Sequence, residues 1–134
     1  MPGRDELQML RYVLWVLGAV GLIMAVMLIR EFGILGTVKK ASIEPLDFTS
    51  LKDGEYAGEY VAGRHSSKVK ARVESGRVTG IDIVQEISYA GEVQRHVVNK
   101  VMETQSLEVD TVSGATVTTR AALKAIENAL SAAK

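Results

Sequence analysis

From Tyr12 to Ile29 the chain reads YVLWVLGAVGLIMAVMLI, eighteen residues without a charge, closed by Arg11 on one side and Arg30 on the other. No other feature restricts the fold as much, because an apolar run of this length matches a hydrocarbon core of about 30 Å once it is helical. The run lacks the polar face that an interfacial helix needs, and Tyr12 and Trp15 stand near one end as interface anchors. A cleaved secretory signal would need a shorter apolar core and a small-x-small site after it, and REFGILGTVKK supplies none that convinces. A soluble core helix, apolar all round, would need more partner surface than the rest of the chain can provide. An uncleaved single-span anchor is therefore expected.

Orientation does not follow from charge. Arg4, Arg11 and the amino terminus precede the span, and Arg30, Lys39 and Lys40 follow it, so the basic flanks nearly balance. The expected organisation is residues 1–11 as a short terminus, 12–30 as the transmembrane anchor, 31–52 as a tether with Gly33, Gly36 and Pro45, and 53–134 as one small domain. That domain has about 80 residues in which to build a core.

Sixteen basic and sixteen acidic side chains cancel, so no overall field points to nucleic acid. The absence of cysteine removes disulfides, thiolate metal sites, iron-sulfur clusters and thioether haem attachment, leaving redox chemistry to an acquired cofactor. His65 and His96 are too few and too far apart to suggest a metal centre, and His65 reads as an exposed loop residue.

The domain reads as α+β. After the Asp53-Gly54 turn signal, EYAGEYVAG is rich in strand formers. SKVKARVE alternates, with Val69, Ala71 and Val73 on one face and Lys68, Lys70, Arg72 and Glu74 on the other; Ser75-Gly76 makes a hairpin turn, and a strand from Val78 to Ile87 puts Ile81 and Ile83 inward. The basic row is the ordinary solvent face of an antiparallel strand. In EVQRHVVNKVMET the period changes: Val93, Val97, Val98, Val101 and Met102 form a helical stripe, with Glu92, Gln94, Arg95, Asn99 and Lys100 on the other side and His96 at the boundary. A last helix from Val117 to Ala132 buries Leu123, Ile126 and Leu130, while Ala122, Ala125 and Ala129 permit close approach to a sheet. An antiparallel meander packed with two helices, after one transmembrane helix, is the expected architecture.

The chemistry concentrates in VDTVSGAT, Val109–Thr116, at the entrance to that last helix. The first-turn amides of a helix lack partners and carry the positive end of the dipole, so an anion is welcome there. Gly114 permits a tight turn, Ala115 leaves the approach open, and Ser113 and Thr116 offer hydroxyls. A plain cap is the competing account: Thr116 as N-cap, Ser113 in the turn, and Asp110 as a dipole partner.

The stretch NKVMETQSLEVDTVSGATVTTRAALKAIENAL resembles the signature end of the FMN-binding domain family, found in peripheral subunits of Rnf-type complexes and of the sodium-translocating NADH:quinone reductase. The family pattern of Asp, two variable residues, Ser or Thr, Gly, Ala, and Ser or Thr is met by Asp110, Ser113, Gly114, Ala115 and Thr116. Upstream, DGEYAGEY and VKARVESGRVTGIDIV are similar to the family's strand and hairpin, so the likeness runs from about Asp53 to Leu130.

The resemblance implies a covalent FMN, esterified through its phosphate to Thr116 by a separate FAD-dependent, magnesium-using flavin transferase. It implies that Asp110 orients or deprotonates the hydroxyl and that Ser113 with the first-turn amides holds the phosphate. It further implies attachment outside the cytoplasmic membrane, hence a cytoplasmic amino terminus and an extracytoplasmic domain; Lys39 and Lys40 weigh against that orientation. The expected role is electron carriage between redox partners or a quinone-linked complex, without a complete enzyme's substrate pocket. Tyr89 and Ala90, joining strand to helix, are candidates to approach the flavin ring, with ordinary packing of Tyr89 as the alternative. Two other functions fit the same fold: a non-flavinylated accessory subunit and a noncovalent FMN sensor.

Overall fold

The computed structural model describes residues 3–134, and the amino-terminal charge counted above, at Met1, lies outside them. Those residues form two compact units, up to Ile34 and Leu35–Lys134.

The first unit is helical. Helix α1, Arg4–Lys40, begins there, and its most apolar stretch has a mean hydropathy of 2.5 with none of it buried in the protein. Leu14, Trp15, Leu22 and Ile29 are all exposed. At about 1.5 Å per residue the uncharged run is about 27 Å long, long enough to cross a membrane.

The second unit opens with the end of α1 and carries a three-stranded antiparallel meander: β1 Gly54–Tyr60, β2 Ser67–Glu74 and β3 Arg77–Gln85, in that spatial order. Helices α2, Gly91–Thr104, and α3, Thr116–Ser131, cover one face. Alternation sets this layering: Val69, Ala71 and Val73 are fully buried, while Lys70, Arg72 and Glu74 face water. Val69 pairs with Ile83, Ala71 with Ile81, and Val73 with Val78, the odd step being taken up by a bulge at Arg72/Val73. The hairpin turn forms at Ser75 and Gly76, both at positive φ. On the outer face Glu55 reaches Lys70 at 2.6 Å and Arg72 at 3.0 Å. Its hydrogen bonds to Lys70 and then Arg72 hold the Glu55 carboxyl below its ordinary range, though exposed pairs like these add little stability.

Helix α3 lies on β1 at Gly58. A Cβ there would stand 2.2 Å from the Ala129 nitrogen and 2.3 Å from the Ala125 oxygen, so the alanine face and the glycine permit backbone-to-backbone contact. Ala121, Ala125, Ile126, Ala129 and Leu130 are all fully buried on this helix. Lys52 N–H donates to Ala133 C=O at 2.8 Å, tying the entry of β1 to the exit of α3. At the end of α2, Gln105 sits at φ +51; its side chain accepts from Val78 N–H and donates to Val78 C=O, pinning the helix to β3.

Three local expectations change. Residues 31–52 carry structure where a tether without period was expected: α1 continues to Lys40, Val38 is fully buried, and Phe48 and Leu51 enter the core. Extending an existing helix costs far less than starting one, so no new hydrophobic period is needed. Arg120 and Lys124 of α3 donate to the carbonyls of Ala41 and Ser42, holding the segment that follows. His65 is buried in a single 3-10 turn, Gly63–His65, instead of lying exposed in a loop. Gln94 is fully buried, although the α2 period put it on the polar side.

Candidate functional site

The VDTVSGAT segment forms a tight entrance to α3. Ala115 N–H donates to Val112 C=O at 2.9 Å, and Gly114 stands at φ +76 between them. That angle favours glycine, and a Cβ at Gly114 would meet nothing within 4 Å, so the approach is open. Below the loop, the fully buried Thr119 accepts from Val112 N–H at 3.4 Å through its hydroxyl.

The N-cap is Ala115, with no side-chain cap, and Thr116 is the first helical residue. The expected alternative of a capping Thr116 is thereby corrected: a hydroxyl at the first helical position lies beyond the geometry that returns to the helix's own amides. Ala115 C=O takes its helical bond from Thr119, while the amides of Thr116, Val117 and Thr118 meet no acceptor among the described residues. The Thr116 side chain is exposed and holds no hydrogen bond there, and Ser113 is exposed beside it. No acid lies in the first turn of α3. The arrangement is a helix entrance with unpaired first-turn amides, two exposed hydroxyls and no acid in its first turn, the kind of end whose dipole favours an anion.

This entrance borders a cleft of about 380 Å³ whose walls include Lys39, His65, Tyr89 and Gly114–Thr118. Its volume falls within the range of about 300–1,000 Å³ usual for small-ligand sites. Asp110 is not part of that wall. It is exposed and lines a neighbouring groove with Glu108 and Arg120, so the structure brings Gly114, Ala115 and Thr116 to the cleft, leaves the exposed Ser113 next to them in the chain but outside its wall, and sets Asp110 apart.

Tyr89 is not core packing. It is 70% exposed, its hydroxyl lies 3.1 Å from Nδ1 and 3.2 Å from Nε2 of His65, and it shares the cleft with Thr116. The sequence does not place Lys39 or His65 at a site, reading the first as a charge flanking the span and the second as an exposed loop residue, and it does not single out Thr119. Only Gly63, at φ +57 before Arg64 and His65, marks the turn that carries His65 inward.

The model for the FMN-binding domain family matches residues 64–131, half of the chain, spanning β2 to the last turn of α3. No curated protein and no solved structure matched the chain. The matched region holds the bare helix entrance, Thr116 and the His65 and Tyr89 side of the cleft, with Lys39 outside it, and the chain belongs to the FMN-binding domain family.

Proposed function

We propose that this protein is a membrane-anchored electron carrier whose FMN is esterified through its phosphate to Thr116, with the domain on the extracytoplasmic side. The observation that carries the reading is the Thr116 hydroxyl, without a partner among the described residues, at an uncapped helix entrance that opens on a cleft.

The residues suit the group. The amides of Thr116, Val117 and Thr118 and the dipole of α3 receive a phosphate, Gly114 leaves room for it, Lys39 on the cleft wall offers a cation, and the exposed Ser113, next to Gly114 in the chain, offers a hydroxyl. Bound FMN supplies an isoalloxazine that takes up and releases one or two electrons. Attachment forms one bond, from Thr116 Oγ1 to the phosphorus bearing the riboflavin; the pyrophosphate bond of the FAD donor breaks, AMP leaves, and the hydroxyl proton is lost. A flavin transferase with magnesium brings that donor, and Asp110 assists the proton loss only once the loop is engaged by that partner. Helix α1 keeps the domain near its redox partners at high effective concentration.

Intact mass of the full-length protein, coexpressed with a flavin transferase, tests the linkage beside Thr116→Val. Wild type should gain one FMN less one water, and the variant should gain nothing while keeping its fold, since Thr116 is exposed and unbonded. Colour lost on denaturation would instead indicate noncovalent FMN, and no flavin in either protein would favour an accessory subunit. Protease protection of the carboxy terminus in sealed vesicles would reverse the orientation if the domain proved cytoplasmic.

A further inference from the structure

The far wall of the cleft is built under conformational strain. Ala90 N–H donates to Ile87 C=O at 3.1 Å, closing a turn whose third residue, Tyr89, stands at φ +62. Turn chemistry favours glycine or asparagine at such a position, and an aromatic residue there is an outlier of the kind that collects at functional sites. Gly91 is two residues away, so the chain has a glycine close at hand and still places a tyrosine at the strained position.

Three contacts hold the ring. The buried His65 meets its hydroxyl, the two rings stand edge to face at 83° with centroids 5.9 Å apart, and the Arg64 guanidinium lies 5.9 Å from the Tyr89 centroid. His65 and Arg64 belong to one 3-10 turn, so a single element fixes the hydroxyl and one face. Most of the side chain remains exposed, on the cleft that Thr116 borders.

We infer that Tyr89 is the residue that contacts the isoalloxazine, its open face forming an aromatic wall, and that His65 is the positioning residue that fixes the angle of this wall. The inference rests on FMN being attached at Thr116. An aromatic wall held in place gives ring-on-ring contact at low entropic cost and excludes water from one side of the cofactor. A buried histidine behind an exposed tyrosine is the supporting contact such a wall needs.

A phenol in contact with a flavin quenches its emission, and the flavin bound beside a fixed asymmetric wall shows induced circular dichroism. The test uses full-length protein coexpressed with a flavin transferase, as wild type, Tyr89→Ala, Tyr89→Trp and His65→Gln, each assayed by intact mass, flavin emission per bound FMN, and visible circular dichroism. The expectation is equal FMN loading throughout and dim emission in wild type. Tyr89→Ala should brighten several-fold and lose most of its induced signal, and Tyr89→Trp should stay dim. His65→Gln, with the phenol intact, should fall between wild type and Tyr89→Ala. Equal loading with unchanged emission and dichroism in Tyr89→Ala overturns the wall and leaves the attachment reading standing. A His65→Gln protein indistinguishable from wild type overturns the positioning role. Wild type without bound FMN removes the attachment reading and this inference together. Should His65→Gln fail to fold, Tyr89→Phe takes its place: it keeps the ring and its edge-to-face contact and removes the hydroxyl's contact with His65, and unchanged dichroism would overturn positioning through that hydroxyl.

Discussion

The entrances of α2 and α3 are built on one plan and finished differently. In ISYAGEVQ, Ile87–Gln94, and VSGATVTT, Val112–Thr119, a residue at positive φ, Tyr89 or Gly114, is followed by an alanine N-cap. The caps share a conformation, φ −136°, ψ 25° at Ala90 and φ −125°, ψ 33° at Ala115. Each alanine N–H closes a turn onto Ile87 or Val112, and each alanine C=O accepts the first helical bond, from Gln94 or Thr119. The side chains of Gln94 and Thr119, both fully buried, then reach back to accept the amides of Ile87 and Val112. The backbone device is the same, so the difference in chemistry lies in the decoration. Helix α2 has Glu92 in its first turn, and the Glu86 carboxylate would lie 2.8 Å from a Cβ on Gly91. Helix α3 has Val117 where α2 has Glu92, and Thr116 where α2 has Gly91. One entrance carries its own acid. The other carries none, which is what the proposed phosphate contact requires.

The largest expected effects break the shared device. Gln94→Ala removes the acceptor of Ile87 N–H and the donor to Ser67 Oγ, both buried, and should cost about 3 kcal/mol. Thr119→Val keeps the volume and strands only Val112 N–H, at about 1–2 kcal/mol. Chemical denaturation gives both values. The comparison predicts that only Thr119→Val also lowers FMN loading of the folded fraction, because only that loop carries Thr116. Equal loading in the two variants would show that the buried anchor does not shape the attachment loop.

These anchors also show what the sequence conceals. The strands, the hairpin at Ser75-Gly76 and the alanine face of α3 were legible because alternation, turn residues and residue size act locally. Gln94 was not, since period assigns a glutamine to water unless its hydrogen bonds inside are known, and those come from Ile87, Ser67 and Gln85, on other elements. His65 was hidden for the same reason: a 3-10 turn has no amphipathic period, and its partner Tyr89 is 24 residues away in the chain. At the site, Ser113, Gly114, Ala115 and Thr116 are contiguous and could be read directly. The separation of Asp110 from them depends on the turn between, which residue types alone do not set.

Intermediate effects exchange the positive-φ residues. Gly114→Ala meets no steric neighbour, so its cost is conformational, about 1 kcal/mol. Tyr89→Gly removes an outlier of similar size while losing the His65 contact, so its stability should stay within about 1 kcal/mol of wild type even though a large side chain is deleted. Thermal unfolding of the two variants decides it. A large loss in Tyr89→Gly would mean that the tyrosine is retained for packing, and the parallel between the turns would then have no functional content.

The smallest effect is the sharpest for the charge argument. Val117→Glu gives α3 the acid that α2 has at Glu92, at the same place in the turn. An acid in the first turn should stabilise the flavin-free protein by about 0.5 kcal/mol through the dipole, and less as salt is added. The same carboxylate stands where the phosphate is to sit, so FMN loading should fall, and the loss should shrink at high ionic strength. Glu92→Val at the matched position of α2 should cost a similar few tenths of a kcal/mol and leave loading unchanged. If Val117→Glu were loaded as fully as wild type, the positive end of α3 would not be what receives the phosphate. Thr116 would then be selected by the transferase's own contacts with the loop, and the absence of an acid at this entrance would need a different cause.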